Sequence, residues 1–252
     1  MNKIYCAIAL VAALAVDVVQ ADGLSDLKDA LNRYPAMAEI KASAEAKTLR
    51  RDGEGKDVDE KTGNAKVQFE ENAQGLKVMY SKDTLTRYSA DEQTKDRDAK
   101  ARTPTLSALG ALNITELRQL ANGIPVLQRQ LERSNFKSER IDNWAGKPAR
   151  LLNFDYGITS LSEKDRKYVK KYEGSLDVWI AADGTPLASR THQSASGRAY
   201  VVVSFDMKND EETVYQVVAD RLTVSRKETH NEGSGAGEKG ESRTTRTLQI
   251  LH

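Results

Sequence analysis

Few side chains in this sequence have the types and spacing that enzyme chemistry requires. The three histidines are His192, His230 and His252, and the single cysteine is Cys6. The motifs of zinc hydrolases, thiol redox sites and serine hydrolases, HExxH, CxxC and GxSxG, do not occur. Carboxyl groups are numerous, but the fold sets their separation in space. We therefore predict no catalytic residues, no bound metal and no cofactor, with an exported hydrolase as a minor alternative.

His192 is the histidine that falls within a predicted strand. Alternation places it on the face of Ala188 and Arg190, opposite Leu187. We expect its imidazole to face solvent.

A glycine-rich segment matches a dinucleotide-binding motif in its letters alone. Residues 235–240, GAGEKG, satisfy G-x-G-x-x-G. In the dinucleotide fold these glycines open a helix whose N-terminus holds the pyrophosphate. Here residues 241–251 follow and alternate like a strand. We predict a hairpin loop and no nucleotide site.

The acidic segment 52–64, DGEGKDVDEKTGN, resembles a calcium loop in composition. An EF-hand loop needs oxygen ligands at fixed offsets and a glycine at its sixth position. With Asp57 and Asp59 as the first two ligands, Lys61 takes the third place and Gly63 comes one position late. A polar hairpin loop is the better prediction.

The charge balance argues against a nucleic-acid partner. The chain has 252 residues, with 38 Lys and Arg against 37 Asp and Glu, for a net charge of +1. Such a balance supplies no basic surface for nucleic acid or anionic lipid. All-β and barrel-like folds often use this length without dividing. We predict a single domain over residues 22–252.

The first 21 residues have the pattern of a secretory signal peptide. Lys3 supplies a positive charge, residues 4–16 are apolar, and the sequence VQA ends at Ala21. The apolar run is shorter than the roughly 20 residues that span a bilayer. We therefore favour cleavage after Ala21 over an uncleaved anchor. The expected location is the periplasm, and cleavage removes Cys6, so we expect no disulfide.

Residues 174–251 predict an antiparallel meander of five strands. Asp183-Gly184 is a strong hairpin signal after a first alternating strand, and a second strand runs back from Leu187. A strand over 199–207, a turn at 208–210 and a long extended run over 213–229 follow. A strand of about 16 residues, at roughly 3.4 Å per residue, spans about 50 Å, so we expect the sheet to curve.

The N-terminal half adds a helix and a second meander. A helix over 22–34 has Ser25 as its predicted N-cap. Residues 36–51 predict a strand with an alanine-rich inner face, which implies a closely packed helix or room for a ligand. Strands at 65–70 and 76–80 extend this meander to about residue 88. Residues 91–102 predict a polar, exposed connection.

Residues 105–134 carry leucines at helical spacing between the two meanders. Asn122-Gly123 and Pro125 divide this insert into at least two helices. Its apolar stripe needs a surface to cover, and the concave face of a curved sheet supplies one. The leucines that we assign to this lid are Leu106, Leu109, Leu117, Leu120, Leu127 and Leu131.

Two further segments precede the C-terminal meander. Residues 135–143 and 149–157 predict a strand pair around a turn. Residues 162–173 predict a basic helix that begins after Ser162 and stacks Tyr168 on Tyr172. This helix is either solvated and docked through its tyrosines or a docking patch for an acidic partner or a lipid head group.

The order of elements resembles the periplasmic lipoprotein-carrier superfamily, the LolA/LolB-like proteins and their envelope-stress sensor relatives. Local similarities are DLKDALNRYPAMAEIKASAEAKTL at 26–49, NWAGKPARLLNFDY at 143–156 and LDVWIAADGTPLAS at 176–189. The resemblance implies an incomplete barrel that holds acyl chains against a helical lid, with no chemical step.

The fold expected from these patterns is α+β, a long, curved antiparallel sheet or incomplete barrel with a few short helices on its concave face. The favoured function is binding of a lipid or lipoprotein acyl chain in that concavity. The alternative is a structural or interaction protein whose helices fill the same space and whose outer face meets an envelope protein. The residues predicted to line the concave face are Val67, Phe69, Val78, Val178, Ile180, Val201, Val203 and Phe205.

Overall fold

The computed structural model describes residues 22–199 and 203–251, and ten strands within these ranges form one antiparallel sheet. The strands are β1 (Ile40–Asp52), β2 (Asp59–Asn72), β3 (Gly75–Met79), β4 (Asn135–Trp144), β5 (Lys147–Asp155), β6 (Val169–Ile180), β7 (Pro186–Ala199), β8 (Val203–Val218), β9 (Arg221–Gly235) and β10 (Glu238–Ile250). Their order is β3-β2-β1-β10-β9-β8-β7-β6-β5-β4. The first and last long strands therefore pair with each other, and β3 and β4 are the two edges of a sheet that does not close.

Six α-helices and one 3₁₀ turn accompany the sheet in the described part of the chain. They are α1 (Gly23–Asn32), α2 (Lys82–Arg97), α3 (Pro104–Gly110), α4 (Ile114–Ala121), α5 (Ile124–Glu132), α6 (Glu163–Arg166) and the 3₁₀ turn Ile158–Ser160. The leucine-rich insert thus forms α3, α4 and α5. The predicted signal peptide, residues 1–21, lies outside the described residues.

Local hairpin chemistry explains several of the turns. Ala236 and Gly237 join β9 to β10 with φ angles of 55° and 81°, the positive values that a two-residue turn requires to match the strand twist. Glycine tolerates such angles without a steric penalty. The segment 235–240 is therefore a hairpin, as predicted, and no helix follows it. Gly184, with φ of 85°, lies in the predicted turn between β6 and β7.

The five C-terminal strands are present, but their boundaries differ from the prediction. The predicted turn at 208–210 is wrong, because β8 continues through it and pairs on both sides, Asn209 with Gln193 and with Asn231. The turn lies instead at Ala219 and Asp220, between β8 and β9. The single strand predicted over 199–207 is also wrong, since β7 ends at Ala199 and β8 begins at Val203. Ladder hydrogen bonds on two sides override local turn propensity.

The basic helix predicted over 162–173 is mostly wrong. A single turn, α6, starts after its N-cap Ser162, whose hydroxyl accepts from the backbone N–H of Asp165. β6 then begins at Val169, and Tyr172 pairs with Ala195 of β7. Tyr168 and Tyr172 therefore do not stack on a helix. Partners distant in the chain decide this segment, because isolated short helices are marginal.

Two N-terminal boundaries also differ from the sequence expectation. The N-cap of α1 is Asp22, whose carboxylate accepts from the N–H of Leu24, and Ser25 lies inside the helix. The second meander ends at Met79, and residues 82–97 form the polar helix α2, capped by Ser81. A side-chain cap satisfies free N–H groups at a helix start, and either Asp or Ser serves this purpose.

The alternation of each strand gives the sheet two different faces. One face carries Ala44 and Val67 with Leu176 and Val178, and helices α1, α4 and α5 pack their apolar residues into the same core. We call it the covered face. The opposite face carries Trp179 and the other strand residues that alternate with those of the covered face. We call it the outer face. Ala42, Ala44 and Ala46 are 0% exposed on the covered face, so these small side chains contact a packed core and not open space.

Candidate functional site

The predicted ligand-lining residues separate into two groups on the covered face. Val67, Phe69, Val178 and Ile180 are between 0% and 2% exposed. Val78 is partly buried against the same core. Val203 and Phe205 lie at the far end of β8, outside this core, where Phe205 pairs with Gly197 and Gly235. Val201 lies outside the described residues. The structure therefore brings five of the eight residues together.

The lid leucines cover the first group directly. Leu117, Leu120 and Leu127 are 1%, 0% and 0% exposed. Leu109 and Leu131 are partly buried against the same core, and Leu106 is half-buried in α3. Burying a leucine stabilises a fold by roughly 1.5 to 3 kcal/mol. The insert is thus an integral part of the hydrophobic core.

The junction between α4 and α5 approaches the sheet closely at Gly123. Its N–H donates to the carbonyl oxygen of Leu222 at 2.8 Å. A Cβ atom at Gly123 would lie 2.9 Å from the Tyr215 ring and 3.0 Å from Val224. A small cavity between Leu120, Gly123 and the facing residues of β8–β9 has a volume of about 10 Å³, which is about the volume that the centre of one water molecule requires.

A buried cluster of charges lies beside this apolar contact, and the sequence analysis missed it. The Lys227 ammonium lies 3.2 Å from Glu211 and 3.8 Å from Glu116. Arg246 lies 3.4 Å from the Glu116 carboxylate and donates from Nε to the carbonyl oxygen of Ala111 at 2.7 Å. The four charged side chains are only 11% to 20% exposed. They join α4 to β8, β9 and β10, and two cations balance two anions.

No feature of the local sequence announces this charge cluster. Glu116 is separated from Lys227 by more than a hundred residues, and a register irregularity at Val214 and Tyr215 shifts the alternation of the two strands. A one-residue shift moves every later side chain to the other face. Lys227 therefore reaches the covered face at a position that simple alternation from Leu222 assigns to the outer one.

Next to the core, the covered face becomes polar and is not filled. An open groove of about 500 Å³ lies between α5, the segment 160–165 and strands β6–β8. We call it the polar groove. Its floor carries Tyr156, Tyr172, Thr191, Gln193, Asn209 and Glu211, and its rim carries Arg129, Gln130 and Arg133.

Tyr156 and Tyr215 are neutral hydrogen-bonding groups at ordinary pH. Burial raises the pKa of Tyr156 to about 12, and a hydrogen bond with Thr191 opposes part of that rise. Burial also raises the pKa of Tyr215, against the opposing effect of a 2.9 Å hydrogen bond with the Ser189 hydroxyl. A phenol that stays protonated can donate and accept, but it does not act as a base near neutral pH.

The two histidines among the described residues each lie beside a carboxylate. His192 lies on the outer face, with Nδ1 at 2.6 Å from Asp210, and its side chain is 45% exposed. His230 lies 3.1 Å from Glu241. Within residues 22–199 and 203–251 no three His, Cys, Asp or Glu side chains are grouped so as to hold a metal ion. Among the same residues no helix is long and apolar enough to cross a bilayer.

A second depression lies at the far end of the sheet, but its charges already pair with one another. It has a volume of about 790 Å³ between the 53–58 loop and β8–β10. Lys239 lies 3.1 Å from Glu54, and Lys208 lies 3.8 Å from Glu232. The polar groove is different, because none of the described carboxylates lies within 4.0 Å of Arg129 or Arg133.

No protein-family model, curated protein or solved structure matches this chain. The resemblance to lipoprotein carriers therefore stays a prediction.

Proposed function

We propose that this chain is a non-catalytic, exported interaction protein of the cell envelope, in which the protein's own helices fill the apolar part of the concave face of the curved sheet. The observation that carries this proposal is the contact between the insert and the sheet. Leu117, Leu120 and Leu127 are at most 1% exposed, and the cavity between Leu120, Gly123 and the facing β8–β9 residues has a volume of only about 10 Å³. Such packing is typical of a permanent core and not of a cavity that awaits a ligand.

Binding of an acyl chain is the alternative function, and it would require displacement of the leucine helices. The leucine helices would have to leave the sheet, which exposes their buried apolar surface and the charge cluster around Lys227. An entering acyl chain gains about 0.8 kcal/mol per buried CH₂. It does not replace the ion pairs of Lys227 with Glu211 and Glu116, so it offsets only the apolar part of that cost.

The outer face is the surface that we assign to an envelope partner. Trp144 and Trp179 pack with ring centroids 4.8 Å apart, and the Arg190 guanidinium lies 5.5 Å from the Trp179 ring centroid. Asp142 accepts a 3.0 Å hydrogen bond from the Trp179 indole N–H. Tryptophan and arginine are the residues most enriched among those that dominate binding energy in protein interfaces. Here Arg190 is the exposed residue that a partner would contact, and Trp179, 7% exposed, holds it in position.

Native mass spectrometry of protein purified from its own host without detergent tests the filled core. We expect the mass of residues 22–252 alone, and organic extraction of the same sample should yield no stoichiometric lipid. Recovery of about one acyl chain per protein would overturn the proposal and support the carrier alternative. A mass that includes residues 1–21 would contradict cleavage after Ala21.

A photo-crosslinking amino acid at position 190 tests the outer face in intact host cells. We expect a discrete adduct with one envelope protein, identified by mass spectrometry. The matched control places the same amino acid at Ser107, an exposed position of α3. Equal adducts at both positions, or none at position 190, would contradict the assignment of the partner to the outer face.

A further inference from the structure

The polar groove offers mainly side chains to a ligand. Its floor includes β7 and β8, which pair with neighbours on both sides, so their N–H and C=O groups are used in the sheet ladder. β6 pairs with β5 only from Ser175 to Ile180, and its residues 169–173 pair with β7 alone. An extended peptide that adds to a sheet needs such a free edge, and the peptide probe below tests that mode of recognition.

The side chains of the floor act as both donors and acceptors. Thr191 contributes a hydroxyl, Tyr156 and Tyr172 contribute phenols, and Gln193 and Asn209 contribute amides. Each of these groups can donate one hydrogen bond and accept another. A ligand hydroxyl has the same dual capacity, whereas an acyl chain has none. The set therefore fits a polyhydroxylated molecule.

One acceptor in the groove has no partner. Gln130 donates from Nε2 to the Thr191 hydroxyl at 3.3 Å. Its amide oxygen is shielded from solvent and makes no hydrogen bond with any described residue. A buried acceptor without a donor costs free energy, and a ligand hydroxyl would reach this oxygen only if the Gln130 side chain turned toward the groove.

Gly174 shapes the aromatic part of the floor. A Cβ atom there would lie 2.9 Å from Cβ of Tyr156 and 3.1 Å from the Tyr172 hydroxyl. The missing side chain lets the two tyrosines lie close together across β6. The Tyr172 hydroxyl is also within hydrogen-bond distance of Ser160, whose Oγ donates to it at 3.3 Å. Phenol rings combine an apolar body with a polar tip, which suits the C–H and O–H groups of a sugar ring.

The rim adds a positive charge to this neutral floor. Arg129 lies in the last turn of α5 and Arg133 is its C-cap, four residues later, so the two lie on the same side of the helix end. Both are exposed, and a guanidinium recognises a carboxylate with two parallel hydrogen bonds. Two carboxylates also line the groove: Glu211 is paired with Lys227 at 3.2 Å, and Asp165 accepts a 2.7 Å hydrogen bond from the Ser162 hydroxyl. The groove thus favours a ligand with one acidic end.

We propose that the polar groove binds an acidic oligosaccharide, with its hydroxyl groups on the floor and a carboxylate at Arg129 and Arg133. This binding goes beyond the proposed function, because it uses a different part of the covered face and leaves the leucine helices in place. The lipid measurement above tests the proposed function, and the sugar measurement below tests the groove. A negative result in one therefore leaves the other proposal standing.

Isothermal titration calorimetry with trigalacturonic acid tests the proposal on residues 22–252. We expect saturable binding, and we expect neutral maltotriose to bind at least about tenfold more weakly, which corresponds to one lost charge-assisted hydrogen bond. Trigalacturonate that does not bind, or binds no better than maltotriose, would overturn the proposal. The peptide Glu-Glu-Glu is the third probe, and equal or tighter binding of it would overturn the assignment to a sugar.

Substitutions place the binding in the groove. R129Q combined with R133Q should weaken trigalacturonate binding by at least about tenfold, whereas the remote R87Q on α2 should not change it. N209A should also weaken binding, and the outer-face control S194A should not. Unchanged affinity in both groove variants would overturn the proposal.

Two-dimensional NMR on the unsubstituted protein gives a readout that does not depend on variants folding. The side-chain amide signals of Gln130, Gln193 and Asn209 should shift on addition of trigalacturonate. Shifts confined to other amides would contradict binding in the groove.

Discussion

The N–H of Gly123 donates a 2.8 Å hydrogen bond to the carbonyl oxygen of Leu222, and this contact fixes the junction of α4 and α5 on β9. The bond joins two backbones, so the helices approach as closely as the absence of a side chain at position 123 allows. The same approach buries the leucines on both sides of the junction.

A side chain at this junction should destabilise the protein. In G123A the new Cβ lies 2.9 Å from the Tyr215 ring, and overpacking of this kind costs about 1 to 3 kcal/mol. Urea unfolding of both proteins measures the difference. G110A at the end of α3 is the matched control, because nothing lies within 4 Å of its added Cβ. Equal midpoints for G123A and G110A would show that the junction is loose.

Truncation of a buried lid leucine should cost much more than truncation of an exposed residue on the same helix. Leu120 is 0% exposed and Ile114 is 60% exposed on α4. L120A should lower the free energy of unfolding by about 2 to 5 kcal/mol, whereas I114A should change it by about 0.5 kcal/mol or less. Chemical denaturation provides the measurement. A small effect of L120A would indicate that the insert contributes little to the core.

Removal of the buried ammonium should leave Glu211 without its cation and Glu116 with Arg246 alone. Lys227 is 11% exposed, beside Glu211 and Glu116, and breaking a buried pair from one side costs about 3 to 5 kcal/mol. K227M should show this loss. K208M is the control, since the Lys208–Glu232 pair is 61% and 49% exposed and such surface pairs contribute about 1 kcal/mol or less.

Protonation of Asp142 should account for part of the stability that the protein loses at acid pH. The Asn143 backbone N–H and then the Trp179 indole N–H hold the pKa of Asp142 below its ordinary value. A lowered folded pKa gives stability that is fully present above the unfolded pKa of about 3.9 and is lost as the pH falls through the folded value. As the pH falls below about 4, the free energy of unfolding of D142N should therefore decrease less than that of the unsubstituted protein.

Tryptophan fluorescence checks the assignment, because Trp144 and Trp179 are neighbours in this cluster. The acid titration of the folded-state signal should disappear in D142N. The exposed D29N on α1 should keep it. An unchanged titration in D142N would assign the fluorescence change to another carboxyl group.

The sequence by itself determined the elements whose signals are local. Alternation along 174–251 predicted five antiparallel strands, the leucine spacing predicted the helical insert, and Asp183-Gly184 predicted a turn. These signals are local because a period of two or of 3.6 residues can be read within one segment. The α+β class and the open antiparallel sheet follow from them.

The tertiary structure alone decided the features that depend on partners far along the chain. Residues 208–210 have turn-forming types, but pairing with β7 and β9 holds them in a strand. Lys227, Glu116 and Arg246 meet across three elements, and the polar groove combines α5 with β6–β8. Long-range contacts of this kind leave no periodic signal in a single segment, since each contributing residue is only one polar side chain among many. The leucine spacing predicted that helices cover the sheet. Only the tertiary structure showed that a polar groove lies beside those helices.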